Sequence, residues 1–251
     1  MYRIQKSKEK YKLLFGNGVP AEYATDPDFQ DILRRFIFGE VFYQGNLDDK
    51  QRELITLVVL ATSQTLPQLK AHVVAALNAQ LTPVEIKEAV YQCAPYIRFP
   101  KTLNAIHEVN EVFKSKNIAL PIESQKQVNE ENRFEKGLSV QVEIFGDIIP
   151  KMQASVPSNQ KHIQEYLSAF CFGDFYTRGG LDLKTRELLT LCKVSSLGGA
   201  EGQVKAHAQG NLNVGNDKET LITAITHCLP YMGFPRTLNA LACINEIIPE
   251  N

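Results

Sequence analysis

The chain has 251 residues, of which 44% are hydrophobic, and its 27 lysines and arginines against 28 aspartates and glutamates leave a net charge of −1. This length accommodates one large domain or two of ordinary size, with enough apolar residues for a sizeable core. Because there is no surplus of basic charge to neutralise phosphates, the composition argues against a nucleic-acid partner.

The cysteines and the N-terminal residues indicate the compartment. The five cysteines form no CxxC pair and fall mostly within apolar helical patterns: Cys93, Cys171, Cys192, Cys228 and Cys243. Reduced core thiols of this kind are typical of a cytoplasmic protein. The first ten residues lack the apolar centre of a signal peptide, and no apolar run approaches the length of a membrane span, so we expect no membrane partner.

Apolar residues at helical spacing run through the first half of the chain. They predict a long helix over residues 28–43 from Phe29, Ile32, Leu33, Phe36, Ile37 and Val41. Asp48 predicts the N-cap of a second helix, Pro67 the first turn of a third, and Thr82 with Glu85 the capping box of a fourth. No segment alternates as a half-buried strand does, so the predicted fold class is all-α.

The second half of the chain repeats the first. The first long helix has its counterpart at Leu167, Phe170, Cys171 and Phe175. Four motifs return in the same order: FGNGVP of residues 15–20 as FGDIIP at 145–150, LDDKQREL of 47–54 as LDLKTREL at 181–188, LKAH of 69–72 as VKAH at 204–207, and TLNA of 102–105 unchanged at 237–240.

This duplication defines the expected domain organisation. The offset between the copies is constant through the LDDKQREL motif and grows by one residue before VKAH, an insertion that Gly198 and Gly199 would absorb. We therefore predict two tandem domains, at 1–120 and 133–251, joined by a polar linker at 121–132.

One carboxylate and one imidazole recur in both copies. Glu53 lies in the first turn of the second predicted helix and His72 one turn into the next, and Glu187 and His207 hold the same places in the second half. Two antiparallel helices would bring each pair into contact, and such a pair can transfer protons. The alternative is structural: a glutamate that pairs at a helix start and a histidine that packs or bonds a carbonyl.

Two arginines and two tyrosines are the candidate substrate-binding residues. Arg52 and Arg186 begin the same helices and would hold a carboxylate bidentately, although an intramolecular ion pair is the commoner role of such an arginine. Tyr96 and Tyr231 follow prolines where a helix ends, a position that lines a pocket or packs in the core with a satisfied hydroxyl.

Other chemistries find little support in the sequence. Cys93 has no cationic neighbour in sequence that would favour a thiolate, and its counterpart Cys228 has only His227 beside it. No two histidines have metal-ligand spacing, and the glycine pairs lack the strand-to-helix context of a phosphate loop. We therefore expect no metal and no cofactor, and a small-molecule substrate.

At these repeated residues the chain resembles the carboxymuconolactone decarboxylase family, which also contains alkylhydroperoxidase D. The resemblance covers nearly all of both halves, through Phe38-Gly39, Leu47-Asp48, Lys50, Arg52-Glu53-Leu54, Lys70-Ala71-His72, Asn78, Tyr96 and Pro100 and their second-half partners. It implies two tandem alkylhydroperoxidase D-like helical domains. Because the family forms trimers or hexamers, it also implies a homo-oligomer in which three copies of this chain make a pseudo-hexamer.

The two branches of the family differ in a CxxC pair before the histidine. The peroxidase branch has it, whereas here Thr65 and Gln68 stand at the two cysteine positions, with Ala200 and Gln203 in the second half. A glutamine cannot replace a thiol that attacks peroxide or resolves the product. The decarboxylase branch lacks the pair and keeps the Leu-Lys-x-His context found at His72.

The resemblance therefore implies a cofactor-free lyase that expels carbon dioxide from a small carboxylated lactone or related acid. His72 and His207 are the candidates to stabilise the resulting dienolate and reprotonate it, with Glu53 and Glu187 orienting them or relaying the proton. Arg52 or Arg186 would hold the carboxylate. Two alternatives stay open: a peroxidase-type antioxidant or thiol-dependent reductase, and a non-catalytic binding or assembly module.

The halves are not expected to be identical in activity. Gly215 and Gly233 of the second half are replaced by Gln80 and Arg98 in the first. Either change would reshape one of the two pockets.

Overall fold

The computed structural model describes residues 2–17 and 25–249. Its α-helices are α1 Tyr2–Phe15, α2 Pro27–Gly39, α3 Asp49–Ser63, α4 Leu66–Asn78, α5 Pro83–Tyr91, α6 Ala94–Ile97, α7 Phe99–Ser115, α8 Arg133–Phe145, α9 Ile148–Ser155, α10 Lys161–Tyr166, α11 Leu183–Leu197, α12 Glu201–Asn213, α13 Lys218–Met232 and α14 Phe234–Ile247. No strand occurs in these residues, and the predicted all-α class is confirmed. None of the described helices is both long and apolar enough to cross a membrane.

The helix starts follow the predicted caps. The Asp48 side chain accepts the Gln51 amide at 2.8 Å and the Gln51 side chain accepts the Asp48 amide in return, which closes a capping box at the start of α3. Asp182 caps α11 by accepting the Thr185 amide at 2.7 Å. The Thr185 side chain is too short to accept the Asp182 amide as Gln51 accepts that of Asp48, so α11 has only one of the two capping-box hydrogen bonds.

The segment before α3 and its counterpart before α11 differ from a plain helix. The predicted helix over 28–43 ends at Gly39 and continues as a 3₁₀ turn, Val41–Tyr43. Its counterpart in the second half, Leu167–Tyr176, is a π-helix. A Cβ at Gly39 would lie 2.5 Å from a backbone oxygen of α1, and one at Gly173 would lie 2.2 Å from a backbone oxygen of α8. Both glycines let an N-terminal helix pack closely against this segment.

The two halves share one hydrophobic core. A single cluster of buried residues contains side chains of α3, α4, α5 and α7 together with side chains of α11, α12, α13 and α14. At its centre α3 packs against α11, while α13 packs on α3 and α6 packs on α11. A helix from the later part of each half, α6 or α13, therefore contacts the central helix of the other half, α11 or α3.

The predicted linker and insertion have clear structural counterparts. Residues 116–132 contain no helix, and the backbone oxygen of Gln125 accepts the Gly179 amide at 3.0 Å. The boundaries at 120 and 133 stay a prediction. Gly198 and Gly199 both have positive φ, which suits the extra residue between α11 and α12. Of the repeated FGNGVP motif, residues 18–20 lie outside the described part.

Candidate active site

The structure brings the first repeated pair into contact. Glu53 is fully buried in α3, and its Oε2 lies 2.8 Å from Nδ1 of His72 in α4. Because an ionised carboxylate only accepts hydrogen bonds, Nδ1 carries the proton of this contact. The other ring nitrogen, Nε2, is then free to exchange a proton with a ligand.

A cavity of about 520 Å³ opens in front of His72. Its described walls come from both halves of the chain and are mostly apolar, with no lysine, arginine, aspartate or glutamate: Tyr11, Phe15, Gln30, Leu33, Ile37, Phe38, Leu60, Thr65, Pro67, Gln68, Ala71, His72, Val74, Pro230 and Tyr231. Phe15 packs edge-on against the His72 ring, with centroids 5.3 Å apart. The size and lining suit a small organic molecule.

A second histidine stands behind this pair. His227 of α13 is fully buried, and its Nε2 lies 2.9 Å from Oγ1 of Thr56, whose own proton goes to the Arg52 carbonyl. Nε2 therefore donates to Thr56. Burial, with further repulsion from Arg52 and His72, holds the pKa of His227 well below its ordinary value, so the ring is neutral.

Three buried polar atoms around Glu53 lack partners. Glu53 Oε1, His227 Nδ1 and the Tyr231 hydroxyl oxygen have no hydrogen-bond partner among the described residues. An unpaired buried polar group costs about 1–3 kcal/mol. The carboxylate of Glu53 is thus held on one side only, by His72.

The second pair has the same contact but a fuller network. Glu187 Oε2 lies 2.8 Å from Nδ1 of His207, and Glu187 Oε1 accepts the Tyr176 hydroxyl at 2.6 Å. That hydroxyl also lies 2.7 Å from Oγ1 of Thr190 and 3.2 Å from the hydroxyl of Tyr96. Both oxygens of this carboxylate are occupied.

A buried lysine adjoins the second network. Lys193 is fully buried in α11, donates to the Gln92 carbonyl at 3.2 Å and lies 4.8 Å from the ring centre of Tyr96. Burial lowers its pKa to about 8, partly opposed by neighbouring thiols and Glu187. The first half has Val59 at the equivalent position of its long helix.

The two candidate tyrosines cross between the halves. Tyr231 of the second half packs edge-on against His72 at 5.7 Å, and Tyr96 of the first half faces His207 at 6.0 Å. Burial raises the pKa of both hydroxyl groups, so both stay protonated. Each site is therefore built from both halves.

The two candidate arginines are engaged inside the protein. The Arg52 guanidinium donates to the backbone oxygens of Leu47, Val41 and Gln44, the last at 2.6 Å. The Arg186 guanidinium pairs with Glu88 at 3.2 Å and also binds Gln92 and three backbone oxygens. Arg186 thus makes the intramolecular ion pair that was the alternative to carboxylate binding, whereas Arg52 binds backbone oxygens of the loop before its helix. A role of either arginine in carboxylate binding stays a prediction.

The cysteines are free and buried. Burial raises the pKa of the Cys93 thiol to about 11 and that of Cys171 to about 12. Thiols with these values are protonated at neutral pH and react poorly with peroxide. The described residues contain no cluster that would hold a metal ion.

Sequence reasoning missed five residues of these sites, one of which is Tyr176, the donor to Glu187. Thr56, Thr190 and Lys193 are polar residues inside the most apolar helices of the chain, and His227 lies in a similar run. A polar residue on a fully buried helix needs a partner, and that was the available signal.

Comparison with known proteins assigns the chain to a family. The model of the carboxymuconolactone decarboxylase family matches twice, at residues 27–111 and 161–246. The chain belongs to the carboxymuconolactone decarboxylase family. The two matches also bear out the tandem arrangement, with one family unit in each half.

Two curated relatives of this family member are decarboxylases by name. The 4-carboxymuconolactone decarboxylase of Acinetobacter baylyi is 28% identical over 124 residues, which cover 49% of this chain and 92% of that relative. The nitrosuccinic acid decarboxylase npaB of Metarhizium robertsii is 32% identical over 77 residues, which cover 31% of this chain and about half, 54%, of that relative. The family and these relatives support a decarboxylase-type function. The first relative is about the length of one half of this chain.

Proposed function

We propose that this protein is a cofactor-free decarboxylase that acts on a small carboxylated lactone or a related acid. The observation that carries the proposal is the buried Glu53–His72 contact, whose histidine belongs to the wall of a cavity of substrate size. The relatives named as decarboxylases support the reaction class.

The chemistry needs little more than an acid and a hydrogen-bond donor. The bond between the carboxyl carbon and its neighbour breaks, carbon dioxide leaves, and the bond electrons move into an enolate conjugated with the substrate carbonyl. In this step the His72 ring starts in its charged form, with Nδ1 donating to the Glu53 carboxylate and a second proton on Nε2. Nε2 gives its proton to the carbon, which leaves a neutral ring protonated at Nδ1, and then regains a proton from solvent. The Tyr231 side chain lines the cavity, and its protonated hydroxyl, buried without a hydrogen-bond partner among the described residues, is the proposed donor for the enolate oxygen.

The apolar lining of the cavity favours decarboxylation. With no lysine or arginine among the described cavity residues, a bound carboxylate is poorly solvated, whereas the charge of the enolate is spread and carbon dioxide is neutral. The proposed reaction in this cavity does not require Arg52 or Arg186 to hold the carboxylate.

Incubation with 4-carboxymuconolactone tests the proposal. We expect carbon dioxide release, and a loss of at least about 100-fold in kcat/KM in the double variant His72→Ala/His207→Ala. The exposed His162, changed to alanine, is the matched control. Undiminished turnover in the double variant, with the fold verified by circular dichroism, would remove the histidines from the mechanism.

We also propose a cytoplasmic homo-oligomer. Large apolar side chains are exposed at equivalent positions of both halves: Phe29 and Ile163, Ile32 and Tyr166, Phe99 and Phe234, Leu103 and Leu238. A duplicated apolar surface fits contacts between the first half of one chain and the second half of another, which close into a ring. The five free cysteines support a reducing compartment.

A further inference from the structure

One difference between the two sites lies at the equivalent residues Phe42 and Tyr176. Phe42 packs on Phe38 with ring centroids 5.3 Å apart and an interplanar angle of 38°, and Tyr176 packs on Phe172 at 4.8 Å and the same angle. The same offset in sequence relates both pairs. The two rings therefore occupy the same place, and the difference between them is one phenolic oxygen.

In the second half this oxygen completes a closed network. The Tyr176 hydroxyl donates to Glu187 Oε1 at 2.6 Å and contacts both Thr190 and the hydroxyl of Tyr96. Hydrogen bonds to a carboxylate favour its charged form and fix its orientation. Glu187 is thus shared between His207 and Tyr176, and the Tyr96 hydroxyl is engaged within the protein.

In the first half the same place has no donor. Glu53 Oε1 is buried without a partner. Among the described residues, this carboxylate is therefore hydrogen-bonded to His72 alone. Thr56, the equivalent of Thr190, pairs with His227 instead. Glu53 therefore has one hydrogen-bond partner among the described residues, where Glu187 has two.

Resting on the proposed decarboxylation, we infer that the first-half pair carries turnover and that the Tyr176 hydroxyl holds the second half in a closed, non-reacting state. A carboxylate shared with another strong donor stabilises a charged imidazole less than one that serves the imidazole alone. In the second half the Tyr96 hydroxyl is hydrogen-bonded to Tyr176 and is therefore not available to a ligand. Tyr176 is in this account a positioning residue that acts through Glu187 and Tyr96.

Single-site variants measured for decarboxylation test this division. We expect His72→Ala to lose at least about 100-fold in kcat/KM and His207→Ala to keep most of the activity. Adding Tyr176→Phe to His72→Ala should restore at least about tenfold over His72→Ala alone. Tyr2→Phe, which removes an exposed hydroxyl in α1, is the matched control and should restore nothing.

Two outcomes of that series overturn the inference. Equal losses in His72→Ala and His207→Ala, or a larger loss in His207→Ala, would mean that the first half does not carry turnover. If His72→Ala/Tyr176→Phe gains nothing over His72→Ala while remaining folded, the Tyr176 hydroxyl is not what closes the second site.

A measurement without substrate separates this inference from the proposed function. Phe42→Tyr adds a donor beside the unpaired Glu53 Oε1 and should raise Tm, whereas Tyr176→Phe removes a donor and should lower Tm by about 4 °C. A lower Tm in both variants would show that the first half has no place for this hydroxyl and would overturn the inference. If the unmodified protein releases no carbon dioxide, the proposed reaction is wrong, whatever the two Tm values are.

Discussion

Replacing Glu53 and Glu187 separately by glutamine measures the difference between the two buried carboxylates. An amide offers one oxygen acceptor where a carboxylate offers two. In the first half one acceptor suffices, because Glu53 Oε2 accepts from His72 and Oε1 has no partner. In the second half His207 donates to one oxygen and Tyr176 to the other, so a glutamine at 187 must set its amide group against one of these donors.

The expected magnitudes follow from those contacts. A hydrogen bond to a charged group contributes about 1.5–3 kcal/mol, and a buried donor left unpaired costs about 1–3 kcal/mol. We expect Glu187→Gln to lower the free energy of unfolding by roughly 2–4 kcal/mol. Glu53→Gln should change it by less than about 1 kcal/mol, since it keeps its single bond and removes a buried charge.

Thermal unfolding followed by circular dichroism, with urea unfolding as a second measure, reads the difference directly. For a chain of this size each kcal/mol shifts Tm by about 2–4 °C, so Glu187→Gln should melt roughly 4–16 °C lower. Glu53→Gln should melt near the unmodified protein while losing about 10–100-fold in kcat, because its bond to the imidazole is no longer charge-assisted. Equal destabilisation by the two variants would refute the reasoning.

Four further predictions concern the surroundings of the sites. Arg186→Met should lower the free energy of unfolding by about 3–5 kcal/mol in urea, because it leaves the buried Glu88 carboxylate with fewer donors; a change under about 1 kcal/mol would contradict the internal ion pair. The pKa of Lys193, about 8, lies below its unfolded value, so the unfolded chain holds more protons between the two values and stability should rise with pH from about 8 upward; Lys193→Met should flatten that rise in the urea midpoint. Leu103→Asp/Leu238→Asp should reduce the molar mass measured by light scattering on a sizing column, and an unchanged mass would place the oligomer contact elsewhere. Peroxide at neutral pH should leave the intact mass unchanged, since burial raises the pKa of the Cys93 thiol to about 11; added oxygen or a lost pair of hydrogens would revive thiol chemistry.

Much of this protein is determined by local sequence. Periodicity and caps such as Asp48 and Thr82 predict the helices, because a helix start depends on residues within one turn of it. The duplication predicts two copies of one plan. The contact between Glu53 and His72 also follows from local spacing, since the two residues lie on consecutive helices joined by a short turn.

Tertiary structure alone decides how the two halves make their sites. Tyr231 serves His72 and Tyr96 faces His207 because α13 packs on α3 and α6 packs on α11, contacts between residues far apart in sequence that no local spacing encodes. The direction of the Arg52 guanidinium, back over its own loop, is likewise a matter of packing. The difference between one partner on Glu53 and two on Glu187 depends on where a single ring at residue 176 lies in the folded protein.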